Sequence, residues 1–139
     1  MFNVLSGLKL GRARTVTSWE QVLTTFAARE WNTVPIREGR MAFTVLEEGD
    51  RRIGRMLALV MLENGRAPEV AMSSGTTLLT IRGKLTVMEN GREVVMEPWD
   101  LVHLPGSRQA FFTHELYLGM WAFPDGNILL RMIEACGRR

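Results

Sequence analysis

Short apolar runs separated by turn residues dominate the middle of the chain. Turn signals such as Glu63-Asn64-Gly65 recur about every 8–12 residues, which is typical of an all-β sandwich or barrel. Asn90-Gly91 predicts a tight hairpin, because both central residues of the favoured two-residue turn need positive φ. The runs predicted as strands are 41–46, 53–62, 76–82, 85–88, 93–96, 100–104 and 116–123.

A short helix is predicted before the first strand. Trp19, Val22 and Phe26 recur at helical spacing, and the pattern ends near Glu30. Two capping boxes could begin this helix, one formed by Thr17 with Glu20 and the other by Ser18 with Gln21. Packing is the expected role of such a helix.

A second helix is predicted at the C-terminal end. Asp125 can cap it, and Gly137 supplies a stop signal. An apolar stripe with helical spacing lies between them. It consists of Ile128, Leu129, Met132, Ile133 and Cys136.

Composition supports a single domain, residues 1–139, with a barrel core at about 40–123. The chain has 139 residues, 46% of them hydrophobic, which suits one core. The net charge is +2 with scattered arginines, so no nucleic-acid partner is predicted. The single cysteine permits no internal disulfide, and a cytoplasmic location is expected. No apolar run approaches the roughly 18 residues of a membrane span, so no membrane association is expected.

Two segments carry a family resemblance. The sequence LLTIRGKLTV, residues 78–87, forms a strand–glycine–strand pattern, and WDLVHLPGSRQA, residues 99–110, places a proline–glycine turn after a strand. Their order and spacing over residues 60–123 resemble the two motifs of the cupin superfamily, the RmlC-like jelly rolls. The resemblance implies an all-β fold, a double-stranded β-helix or jelly-roll barrel, here with a short N-terminal and a C-terminal helix.

The resemblance also implies a metal centre of three histidines and a carboxylate, but other residue types occupy those positions in the first motif. The motif can be aligned from Gly65 or from Gly83, and the two counts differ by one residue. Neither count reaches a histidine. The positions are Ala71, Ser73 and Thr77 by the first count, and Val70, Met72 and Thr76 by the second.

In the second motif the histidine position falls at Ala110 or Gln109, depending on whether the count starts from the proline or the glycine. We therefore predict no metal and no cofactor at the family site. An atypical site built from His103, His114 and Glu115 stays open as a less favoured alternative. The polar segment Thr113-His114-Glu115 is predicted to be a loop.

Two functional hypotheses follow. The first is a non-catalytic or regulatory cupin that binds a small molecule. Alanine, serine and threonine at the positions of the family's bulkier metal ligands would leave space for it in the barrel. Its predicted pocket comprises Ala71, Ser73, Thr77, Gln109 and Ala110. The second is a metal-independent cupin enzyme with isomerase- or epimerase-like acid–base chemistry, in which His103 would be the base and Tyr117 the acid.

A homodimer is also predicted. Cupins of this size commonly pair, and strand 76–81 carries apolar residues on both faces, with Leu78 on one and Leu79 and Ile81 on the other. A strand with one face in solvent alternates more regularly between apolar and polar residues. The competing explanation is that the terminal helices cover the outer sheet within one chain.

Overall fold

A computed structural model describes residues 15–48, 56–67, 70–71, 75–89, 91–104 and 108–124. They form one helix and nine strands, all of whose pairings are antiparallel. The predicted all-β class is confirmed. The elements are α1 (Trp19–Thr25), β1 (Asn32–Val34), β2 (Arg40–Glu48), β3 (Met56–Arg66), β4 (Val70–Ala71), β5 (Thr76–Arg82), β6 (Leu85–Glu89), β7 (Arg92–Met96), β8 (Leu101–Leu104) and β9 (Arg108–Phe123).

Strand β9 organises the sheet, because it pairs with four other strands. Its C-terminal half lies between β3 and β5, and its N-terminal half pairs with β4 and β6. The main path through the sheet runs β1-β2-β3-β9-β5-β8, and β7 joins through β6. Most of these neighbours are distant in sequence, as the folding together of strands in a jelly roll requires.

Both faces of the central strands are buried. Along β3, Ala58, Val60 and Leu62 belong to one apolar cluster, and Leu59 and Met61 belong to another on the opposite face. We call these the inner and outer faces. The inner cluster fills the space enclosed by the sheet, and α1 covers the outer one. This burial on both sides explains why β3 is a nearly continuous apolar run.

The predicted N-terminal helix is present, but it ends at Thr25 instead of near Glu30. Ser18 is its N-cap, and only the Ser18 half of the predicted capping box with Gln21 is formed. The Ser18 side chain accepts a hydrogen bond from the Gln21 amide at 3.1 Å. The Gln21 side chain in turn accepts hydrogen bonds from the Thr17 amide and hydroxyl. The buried face of the helix carries Trp19 and Val22, which pack on the outer cluster.

The Asn90-Gly91 hairpin is also confirmed. Strands β6 and β7 pair from Leu85 with Met96 to Glu89 with Arg92, which is the register of a short hairpin connection. Gly91 has φ of +78°, as the predicted turn requires.

Two predicted interruptions are not chain reversals. Glu63-Asn64-Gly65 was predicted to be a turn, but β3 continues through it to Arg66 with a shift in register against β9. Asn64 has φ of +46°, so a left-handed residue creates an irregularity within the strand. The polar segment around His114 was predicted to be a loop, but it lies within β9. The predicted C-terminal helix, from Asp125 onwards, lies outside the described residues.

Candidate functional site

The predicted acid–base residues lie on opposite faces of the sheet. Tyr117 belongs to the inner cluster. On β8, Leu104 belongs to this inner cluster and Val102 packs against it, so His103 between them points to the outer side. The structure therefore does not bring His103 and Tyr117 together.

Tyr117 is a fully buried side chain with a hydrogen-bonded hydroxyl. The Trp121 indole donates to this hydroxyl at 2.9 Å. Burial raises the pKa of Tyr117 to about 12, and the Trp121 and Thr80 side chains only partly oppose that rise. Gly119 lies beside the hydroxyl, and a Cβ at this position would overlap it. The phenol is thus held protonated in a closely fitted inner site.

His103 is exposed and has a local partner. A hydrogen bond of 3.1 Å joins its Nδ1 to the Thr77 hydroxyl, where β8 and β5 pair. Thr77 was predicted to line the ligand pocket, and it lies with His103 on the outer side of the sheet. On the other edge of β5, Thr77 pairs with Ala122, near the C-terminal end of β9.

The other predicted pocket residues are near the opposite end of β9. Gln109 is buried and alternates with Phe111 of the inner cluster, so it faces inward. Ala110 pairs with Met88 and faces outward. Ala71 pairs with Arg108 in the short β4 contact. Ser73 lies outside the described residues.

The described residues do not fit the metal group that the resemblance implies. Thr77, the hydrogen-bond partner of His103, pairs with Ala122, which is eight positions along β9 from His114. Eight residues of extended strand span on the order of 25 Å. The Glu115 carboxylate accepts a hydrogen bond from the Lys84 amide at 2.9 Å. In the described part of the chain, no three histidine, cysteine or acidic side chains are close enough to share a metal ion.

A groove that was not predicted from the sequence lies on the outer face, near the N-terminal half of β9. It has a volume of about 410 Å3. It lies where β3, β6 and β9 adjoin the segment before β2. Its lining residues are Glu38, Asn64, Gly65, Arg66, Met88, Phe112, Thr113 and His114.

The groove combines a cation, an aromatic ring and an imidazole. The Arg66 guanidinium lies 5.8 Å from the centre of the Phe112 ring, and its Nη2 lies 3.9 Å from the Met88 sulfur. The His114 ring meets Phe112 edge-on at 5.7 Å. One signal was present in the sequence, since Phe112 and His114 share a strand face by period two, but the same segment was interpreted as a loop.

Comparison with known proteins identifies the fold. No family model and no curated protein matches this chain. Solved structures do match it. The EutQ protein of Clostridium difficile is 13% identical, with 64% of this chain and 71% of that chain covered at a TM-score of 0.56. The cupin-2 domain of an XRE family transcriptional regulator from Enterobacter cloacae is 15% identical, covering 59% and 93%, at 0.51.

A third similar structure is the DMSP lyase DddQ of Ruegeria pomeroyi, which is 17% identical, with 79% of this chain and 65% of that chain covered at a TM-score of 0.58. At these identities the likeness shows the fold alone. The chain has the cupin fold, as its two glycine-containing segments predicted. No helix among the described residues is both long and apolar enough to span a membrane.

Proposed function

We propose that this cupin binds a small molecule and does not transform it. The observation that carries the proposal is the placement of His103 and Tyr117 on opposite faces of the sheet. General acid–base catalysis needs both groups within hydrogen-bond reach of one substrate. A sheet between the two groups prevents that arrangement.

The surroundings of Tyr117 support the same proposal. The residue is fully buried, and its hydroxyl already accepts the Trp121 indole hydrogen. A phenol with a pKa of about 12 is a poor proton donor near neutral pH. Its role in this structure is to complete the inner cluster.

Ligand binding is supported by the outer-face groove. Its volume lies within the range of small-molecule sites, and it pairs apolar surface with a few polar groups. The inner face is filled by aromatic rings that pack at tilted angles, with centroid distances of 5.1 Å between Phe111 and Trp121 and 6.0 Å between Trp121 and Phe123. Of the predicted pocket residues, Ala110 faces the groove side, next to Met88.

The structural neighbours are compatible with a binding role. They include a domain of a transcriptional regulator and also a lyase, so both classes occur on this fold. A fold that serves both classes leaves the decision to the site. Here the separation of His103 from Tyr117 favours binding, with regulation by a small metabolite as its expected purpose.

A screen combined with product analysis tests the proposal. Purified protein would be screened by thermal shift against small metabolites, and each stabilising compound would then be incubated with protein and followed by NMR. We expect concentration-dependent stabilisation without chemical change. Conversion of a compound that is lost in His103→Gln or Tyr117→Phe would establish the acid–base enzyme instead.

The homodimer and the cytoplasmic location remain predictions. The apolar outer side of β5 that motivated the dimer has an explanation within one chain, since Ile81 belongs to the outer cluster and Leu79 packs against it. Light scattering after size exclusion decides the matter. A mass near twice 15.8 kDa supports the dimer, and a mass near 15.8 kDa contradicts it.

A further inference from the structure

Arg66 differs from two other arginines, Arg40 and Arg82, because it has no oxygen partner among the residues that the structure describes. Arg40 binds Glu63 and Glu20, and the Arg82 side chain donates to the Val16 and Leu116 carbonyls at 2.6 Å each. Those two arginines tie α1 and the strands together. The contacts of the Arg66 guanidinium are instead a methionine sulfur and an aromatic ring.

A guanidinium positioned over a ring keeps its in-plane hydrogen-bond donors available. Arg66 pairs with Phe112 across β3 and β9, so the backbone register brings the two side chains together. Among the described carboxylates, none lies within ion-pair distance of Arg66. Such a fork of N–H donors matches the geometry of a carboxylate and can bind it with two parallel hydrogen bonds.

The other groove residues define the rest of the ligand. Phe112 and Met88 offer apolar surface beside the guanidinium, and the His114 ring contacts the Phe112 ring edge-on. The imidazole can add a further hydrogen bond to an anion that Arg66 binds. Glu38 is an acidic residue of the groove lining, and its charge disfavours ligands with more than one negative charge.

We propose that the outer-face groove binds a small monocarboxylate with an apolar, planar body, whose carboxylate pairs with Arg66 and whose body rests on Phe112 and Met88. This inference rests on the proposed small-molecule-binding function and names the chemical class of its ligand. Phenylacetate is a suitable probe, since it joins one carboxylate to one ring.

NMR titration of the full chain with phenylacetate tests the inference, and the neutral isostere phenylacetamide serves as the matched ligand control. We expect saturable shifts centred on residues 66, 88, 112 and 114, with millimolar affinity for so small a ligand. Phenylacetamide is expected to bind at least tenfold more weakly. Acetate, which lacks the ring, should also bind at least tenfold more weakly.

Substitutions at two arginines provide the protein control. Arg66→Gln removes the charge from the groove, and we expect it to weaken phenylacetate binding at least tenfold. Arg92→Gln removes an equal charge from exposed β7, outside the groove, and should bind as the wild type does. Unfolding curves of both variants would establish that they fold. Equal binding by phenylacetamide, or by Arg66→Gln, would overturn the inference.

The screen of metabolites separates this inference from the proposed function. If a metabolite binds unchanged but its NMR shifts map to the inner face and survive Arg66→Gln, the groove assignment fails and the binding function stands. If no compound binds, phenylacetate included, both fail. If a bound compound is converted, the non-catalytic function fails. Whether that compound binds in the groove is then decided separately, by where its NMR shifts map and whether Arg66→Gln weakens its binding.

Discussion

The two halves of β9 differ in what covers their outer face. In the C-terminal half, Leu116, Leu118 and Met120 point outward and are buried in the outer cluster under α1. In the N-terminal half, Phe112 is only partly buried and His114 is exposed. On the inner side of this N-terminal half, Gln109, Phe111 and Thr113 are buried. One strand thus has a segment with two buried faces and a segment with one.

The difference shows how the fold provides a binding surface without opening its interior. The helix is short, and its buried side chains Trp19 and Val22 pack in the outer cluster. Beyond its reach, the outer face carries an arginine, an imidazole and a ring in place of aliphatic side chains. The interior can therefore remain closely packed while the uncovered half of the strand is available to a ligand.

The neighbouring residues Phe111 and Phe112 offer the largest expected contrast. Phe111 is fully buried on the inner face, so Phe111→Ala should lower the free energy of unfolding by about 4 kcal/mol. Phe112 keeps part of its ring in solvent, so Phe112→Ala should cost about 1 kcal/mol. Urea unfolding followed by tryptophan fluorescence measures both. Equal losses would mean that the two faces are covered alike.

Gly119 tests how closely the doubly covered half is packed. A methyl group there would overlap the hydroxyl of the fully buried Tyr117, so Gly119→Ala should cost about 3 kcal/mol. Gly91→Ala is the matched control. Its added Cβ meets open space and its strain comes from positive φ alone, so about 1 kcal/mol is expected. A neutral Gly119→Ala variant would show that Tyr117 has room to shift.

Tyr117→Phe tests the hydrogen bond inside the covered half. The substitution leaves the buried Trp121 indole without its acceptor, and we expect a loss of about 2 kcal/mol at pH 7. The unfolded tyrosine releases its proton near pH 10, and the folded one holds it to about 12. The stability that this shift contributes is present below pH 10 and is lost as pH rises towards 12.

The variant lacks that pH-dependent contribution, so the difference in stability between wild type and Tyr117→Phe should shrink between pH 10 and 12. Urea midpoints measured at several pH values give this difference. The phenolate absorbance of the single tyrosine provides a direct check, because all four tryptophans are common to both proteins. A constant difference across this range would contradict the raised pKa.

Ser18→Ala tests how the covering helix begins. The side chain caps α1 by accepting from the Gln21 amide, and its removal should cost about 1 kcal/mol. Thr24→Ala lies on the exposed side of the same helix and should change stability by less than about 0.5 kcal/mol. Phenylacetate binding should persist in both variants, since the groove lies outside the helix-covered half. Loss of phenylacetate binding in Ser18→Ala alone would contradict this and show that the start of α1 affects the groove.

The sequence alone determined the local features of this protein. The N-terminal helix and seven of the nine described strands, in whole or in part, followed from hydrophobic period, because burial on one side of an element repeats with its geometry. The Asn90-Gly91 hairpin followed from turn chemistry, since its backbone angles are set by two adjacent residues. The cupin resemblance came from the order of such local features around Gly83 and Pro105-Gly106, and the fold confirmed it.

The tertiary structure decided what depends on distant neighbours. Tyr117 and His103 were candidates for one site by residue type, and only strand pairing placed them on opposite faces. Asn64 carries a turn signal, yet pairing with β9 draws it into a strand. Arg66 and Phe112 are 46 positions apart and meet only because β3 and β9 are neighbours in the sheet. The hydrophobic period indicates which face of a strand is buried, but it does not indicate which other strand lies next to it in the sheet.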